Sequence, residues 1–184
     1  MYKRQVRAAL VVIAALTIAT LGGSAVFVFM GAIAADRYGM SSLVISLAFS
    51  ANALVSIPTA RFRGRRRFAG GYFALTGVCA VISTQADQSA VLWVVLCLWG
   101  AAFWMAVPGS YTLLAERSRF PTERAGDAQA AMAFGRALGP LVAGALVAGG
   151  EYATLGWVGG GLLVVVGALL VAVELVVPPI RAEA

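Results

Sequence analysis

The sequence predicts an all-α polytopic membrane protein of six transmembrane helices with both termini cytoplasmic, and three observations predict it. Of 184 residues, 61% are hydrophobic and only 12% charged, with a mean hydropathy of +0.88, far outside the range of a soluble domain with a polar surface to cover. Polar punctuation divides the chain into six apolar lengths, each near the about 20 residues that a helix needs to cross a hydrocarbon core of roughly 30 Å. Positive charge gathers on alternate connections, as it does when one side of a bilayer retains the basic loops.

Each element follows from its boundaries. The first span, 8–35, follows "MYKRQVR" and runs longer than the about 7–15 apolar residues of a secretory signal, so it reads as a retained helix. "DRYGMS" separates it from a second span at 41–60, and "RFRGRRRF" separates that from a third at 69–86. "DQS" precedes the fourth, 90–115; "ERSRFPTERA" precedes the fifth, 126–149; and "GGEYA" precedes the sixth, 153–176. Pro178 and Pro179 then end the last helix, because neither can donate to a helical ladder. The connections are short, and a single six-helix domain is expected over 1–184.

Orientation follows from the arginines and lysines. With the N-terminus inside, Lys3, Arg4, Arg7, the five arginines of 61–67, Arg117, Arg119, Arg124 and Arg181 all fall on the cytoplasmic side, twelve of the 14 basic residues. Arg37 alone falls outside, and Arg136 falls within the membrane. Tyr38, Trp93, Tyr152 and Trp157 then lie near the outer interface and Tyr2, Phe68 and Tyr72 near the inner one, where amphipathic rings are favoured. The protein is expected in the inner or plasma membrane, in contact with lipid and with no nucleic-acid partner.

Composition also excludes chemistry. There is no histidine, so imidazole-based metal sites and acid–base catalysis are ruled out. Cys79 and Cys97 lack the spacing of a metal motif and read as small buried hydrophobes. No nucleophile–base constellation is visible; no enzyme activity, no catalytic residue, no metal and no cofactor are expected.

The most informative stretch is "FGRALGPLVAG", 134–144. Ala131, Gly135, Gly139 and Ala143 recur at every fourth residue and make a strip of small side chains that lets another helix approach closely. Pro140 cannot bond the carbonyl of Arg136, so a bend is expected there. The strip could pack within one subunit or close a seam between two.

The glycine spacing, Gly126, Gly135, Gly139-Pro140 and Ala143-Gly144, resembles the fifth-helix antiporter motif of the major facilitator superfamily, with Ala143 in place of one glycine. "GGSAVFVFMGAIAADRYGMSSLVISLAFSANAL" resembles the seventh and eighth helices of its drug or sugar efflux members. "RFRGRRRF" resembles the basic loop between its second and third helices: Gly64, Arg65 and Arg66 match, while Arg61 replaces the aspartate. "VPGSYTLLAERSRFPTERAGDAQ" resembles the connection after its fourth or tenth helix, and Leu96 stands where a fourth-helix arginine would be. The chain thus resembles one half of a transporter, the C-terminal half more than the N-terminal one, which implies two inverted three-helix repeats.

The resemblance implies a substrate cavity between the first and fourth helices, lined by Ser24, Phe27 and Met30 on one and Trp104, Met105 and Tyr111 on the other, a polarizable site for amphipathic molecules. Arg136 is either an anion-binding or switching residue in that cavity or a side chain that snorkels to the inner headgroups. Glu116 and Asp127 are placed to meet the arginine loop as a cytoplasmic gate with Arg61, Arg65 and Arg66, whereas the loop could equally set topology alone. The expected function is a half-length secondary transporter that exports a small organic compound by alternating access after pairing as a homodimer or with a second half-transporter chain. The partner's second helix would supply Ser42, Ser46 and Ser50 to the small strip. The alternative is a non-transporting half or a fragment acting as a membrane interaction protein.

Overall fold

The computed structural model describes residues 2–59 and 69–180. Within them the regular structure is helical: α1 (Tyr2–Phe27), α2 (Met30–Asp36), α3 (Ser42–Thr59), α4 (Ala69–Gln85), α5 (Ser89–Glu116), α6 (Pro121–Ala148) and α7 (Tyr152–Val176). Five stretches are long and apolar enough to cross a membrane, α1 with α2 counting as one from Val6 to Asp36. The 17 described residues of α4 stand at the short limit for a span, about 17 residues. The chain is a polytopic helical membrane protein.

The first expected span is not one helix. After Phe27 the ladder slips: the Val28 amide still bonds the Ser24 carbonyl at 3.1 Å, but the Phe29 amide bonds Val26 instead of Ala25, at 3.2 Å. Phe29 adopts φ −92° and ψ 3° before α2 begins. The fifth span starts earlier than expected, at Pro121. Proline at a first helical position loses no ladder bond and is already set at a helical φ, so the charged "TERA" segment extends the helix instead of preceding it.

Successive spans run antiparallel and share two ends. At the end carrying the termini, the buried guanidinium of Arg117 donates to the carbonyls of Val177 at 2.9 Å and Glu174 at 3.3 Å, tying α5 to α7. At the far end Arg37 donates to the carbonyls of Gln85 and Ala86, at 2.9 and 3.2 Å, and the Tyr152 hydroxyl donates to Asp36 at 2.6 Å. The most extensive contacts are α4 with α7 and α1 with α6, followed by α4 with α5, α1 with α7 and α3 with α5.

Glycine decides the closest of these. On α4 and α7, Gly70 faces Gly167 and Gly77 faces Gly160, and a Cβ added to any of the four would collide with the opposite glycine's carbonyl. The pairs sit seven residues apart on both helices, in antiparallel register, so the two backbones touch along two turns. Without a hydrophobic driving force between helices in lipid, such backbone contact supplies the packing attraction. Leu163, Val166 and Leu170 of α7 and Phe73 and Cys79 of α4 are buried.

The small strip of α6 packs in the same way against α1. A Cβ at Gly135 would strike the Thr17 carbonyl and Thr20 hydroxyl, and one at Gly139 the Leu21 carbonyl and Ser24 hydroxyl; Ala143 is buried too. Of the two readings of that strip, packing within one subunit is the one found. The expected seam between it and a partner's second helix is corrected accordingly, because α1 already occupies those glycines. Gly126 and Gly144 face open space, and Pro140 lies within a continuous α6.

Candidate functional site

α1, α3, α5 and α6 surround a cavity of about 380 Å³, lined by Thr20, Gly23, Ser24 and Phe27, by Asn52, Ala53 and Ser56, by Trp99, Gly100, Phe103 and Trp104, and by Arg136. The close approach of α6 to α1 through Gly135 and Gly139 brings Arg136 level with Thr20 and Ser24. Asn52 does the equivalent for α3 and α5: its buried side-chain amide donates to the Leu96 carbonyl at 2.6 Å, and Gly100 leaves room for it. Phe27 stands between Phe49 and Trp99, with ring centroids 5.5 Å from each.

The lining is apolar and aromatic with few polar atoms, and most of their protons are already committed. The Thr20 hydroxyl donates to Leu16 at 2.9 Å, Ser24 to Leu21 at 3.3 Å and Ser56 to Ala53 at 2.6 Å, all backbone carbonyls. Arg136 is the one charged residue of the lining. The described ion pairs are Arg37–Asp87, Arg117–Glu116 and Arg124–Asp127, and none includes it. It lies 15 residues into a 28-residue helix, about 22 Å along at the helical rise. An arginine at such depth costs at least ~2.5 kcal/mol on insertion scales. Its side chain is exposed and lines the cavity from the middle of α6.

Two prolines act on this lining. Pro140 cannot supply the ladder bond that the Arg136 carbonyl would accept, and Pro108 in α5 cannot supply that of Trp104; both affected residues face the cavity.

A family model described as Major Facilitator Superfamily matches residues 1–139. The chain belongs to the major facilitator superfamily. Comparisons with curated proteins and with solved structures give no significant match. The superfamily match covers α1 through α5 and α6 as far as Gly139, so it includes every described residue that lines the cavity, Arg136 among them. It makes this a multi-pass, major-facilitator-type transporter.

Of the cavity residues expected for a superfamily half, Ser24, Phe27, Trp104 and Arg136 line it. Met30 does not: the break at Val28–Phe29 carries it into α2, where it is fully buried. Met105 does not line it either, and Tyr111 lies between α5 and α6, its hydroxyl donating to Gln129 at 2.9 Å. Asn52, Trp99, Gly100 and Phe103 were not anticipated. A lone asparagine in the apolar second span was the available signal, since such a group must find a partner when buried in a membrane.

At the terminal end, Arg61, Gly64, Arg65 and Arg66 lie outside the described residues. Asp127 pairs with Arg124 at 2.8 Å and Glu116 with Arg117 at 3.4 Å. A second, smaller pocket of about 100 Å³ lies there, among Val6, Ala9, Arg117, Ser118, Arg119, Phe120 and Arg124.

Proposed function

We propose that this chain is a half-transporter of the efflux-like, C-terminal-half type, pairing as a homodimer or with a second six-helix chain and exporting a small organic or amphipathic compound by alternating access. The observation that carries the proposal is the exposure of α3 and α6, which both line the cavity: among the described helices of membrane length their apolar windows have the smallest buried share, 11% and 22% against 39–50% for the others. A second six-helix unit on that face would complete the wall and cover both helices.

The helix contacts support an inverted repeat. Exchanging α1, α3 and α4 for α5, α6 and α7 turns the α1–α6 contact into α5–α3 and the α1–α7 contact into α5–α4, and returns α4–α7 to itself; all five are among the largest. The basic connections support a cytoplasmic location for both termini, and a green fluorescent protein fused after the last residue should fluoresce while a periplasmic reporter there stays inactive. Coupling through a carboxylate in the cavity is not part of this reading, since no described acidic residue lines it. Glu116 and Asp127 remain our candidates for a gate with Arg61, Arg65 and Arg66, which charge reversal at Glu116 would test through accessibility of cavity cysteines from the two sides.

Mass measurement of the purified chain in lipid nanodiscs tests the proposal. Two copies per disc over a range of protein-to-disc ratios is the expected result. A persistent monomer would leave the cavity with one wall and overturn the homodimer, leaving pairing with a second six-helix chain.

A further inference from the structure

We infer that the cavity selects organic anions, with Arg136 as the counter-charge and the aromatic rings holding the apolar body of the guest. The inference rests on the transport cavity proposed above and names its substrate class.

Charge is the first argument. Of the twelve described residues that line the cavity, Arg136 alone has a charged side chain. The described carboxylates, Asp36, Asp87, Glu116, Glu123, Asp127, Glu151 and Glu174, lie within two turns of a helix end or in connections, and none lines the cavity. A cationic guest would find aromatic faces, which attract it, but would share the cavity with a guanidinium that no described carboxylate pairs, and like charges repel. An anionic guest meets the opposite sign.

Hydrogen bonding is the second. The hydroxyl protons of Thr20, Ser24 and Ser56 and one amide proton of Asn52 are engaged by backbone carbonyls. The guanidinium presents five N–H groups in a planar fork that matches a carboxylate or phosphate bidentately. It is the strongest donor that the lining offers, and no described carboxylate pairs with it.

Shape is the third. Phe27, Trp99, Phe103 and Trp104 supply most of the apolar wall, and about 380 Å³ is room for a molecule of one or two rings, at the small end of ligand cavities, roughly 300–1,000 Å³. The guest that fits both features carries one acidic group and an aromatic or aliphatic body.

Trp99 and Trp104 make binding readable by tryptophan fluorescence in nanodiscs. Three probes with one skeleton separate the terms: 4-phenylbutyrate, 4-phenylbutanol and 4-phenylbutylamine. The butyrate should bind at least about tenfold more tightly than the amine. Arg136→Gln should abolish that preference with little change for the alcohol, and Arg136→Lys should keep part of it. Equal binding of amine and butyrate, a preference that survives Arg136→Gln, or no binding of any probe would overturn the inference. Selective butyrate binding by a chain that stays monomeric or moves nothing across a liposome membrane would leave the anion site standing and overturn the transport reading. Passage of the amine by a stable dimer, without preference for the butyrate, would do the reverse.

Discussion

The side-chain amide of Asn52 reaches from α3 to the Leu96 carbonyl of α5 at 2.6 Å, and the next turn of α5 carries Gly100, whose Cα rests against the same asparagine. Asn52 and Gly100 both line the cavity, so two substitutions read its packing separately. Asn52→Ala removes an interhelical hydrogen bond, about 0.6 kcal/mol on average in membrane proteins. Gly100→Ala drives a methyl group toward the Asn52 backbone carbonyl, and overpacking of that kind costs about 1–3 kcal/mol. Thermal unfolding in mild detergent should therefore rank Gly100→Ala as the more damaging. The opposite order would mean that α3 is not held this closely.

The glycines of α6 divide into two sets. Gly135→Val and Gly139→Val would force α1 away from α6 along its most intimate stretch, and loss of the monodisperse folded species is expected for both. Gly126→Val and Gly144→Val meet open space and should elute as the parent does in size-exclusion chromatography. Equal tolerance at all four positions would contradict the α1–α6 packing described here.

Arg117 is 2% exposed and holds α7 through the Val177 and Glu174 carbonyls. Arg117→Gln should destabilise by about 1.5–3 kcal/mol, the scale of hydrogen bonds to a charged group, and release the end of α7 to faster amide exchange. Arg119→Gln, on an exposed side chain, should leave melting within about 0.5 kcal/mol of the parent. A reversal would place the buried cation elsewhere.

How much of this was legible in the sequence depends on what each feature needs. Helix number and approximate span follow from apolar length, which a bilayer imposes directly. The break at Val28–Phe29 had no such signature: neither proline nor charge marks it, and the slip is visible only in which carbonyl each amide finds. It also explains why Met30 was assigned to the cavity and is instead buried. Arg136 was recognisable as an anomaly, but its position depends on α6 beginning at Pro121 and on Gly135 and Gly139 pressing it toward α1, a three-dimensional relation. The α4–α7 glycine pairs were present as letters, yet their antiparallel register appears only once both helices are placed.

The same geometry redirects the search for a partner. Ser42, Ser46 and Ser50 of α3 remain exposed, with Ser46 and Ser50 donating only to their own helix, at 2.8 and 2.9 Å. Gly139 is no longer their counterpart. Gly144 has open space in front of its Cα and lies four residues before the far end of α6, as Ser46 lies four residues after the far-end start of α3.

Disulfide crosslinking in native membranes between separate chains carrying Ser46→Cys and Gly144→Cys, each with Cys97→Ser, tests the two-walled cavity most directly. The account expects a crosslinked dimer from this pair and none from a Val78→Cys and Val165→Cys pair, on exposed positions of α4 and α7, which do not line the cavity. No crosslink from the first pair, or equal crosslinking from both, would contradict it.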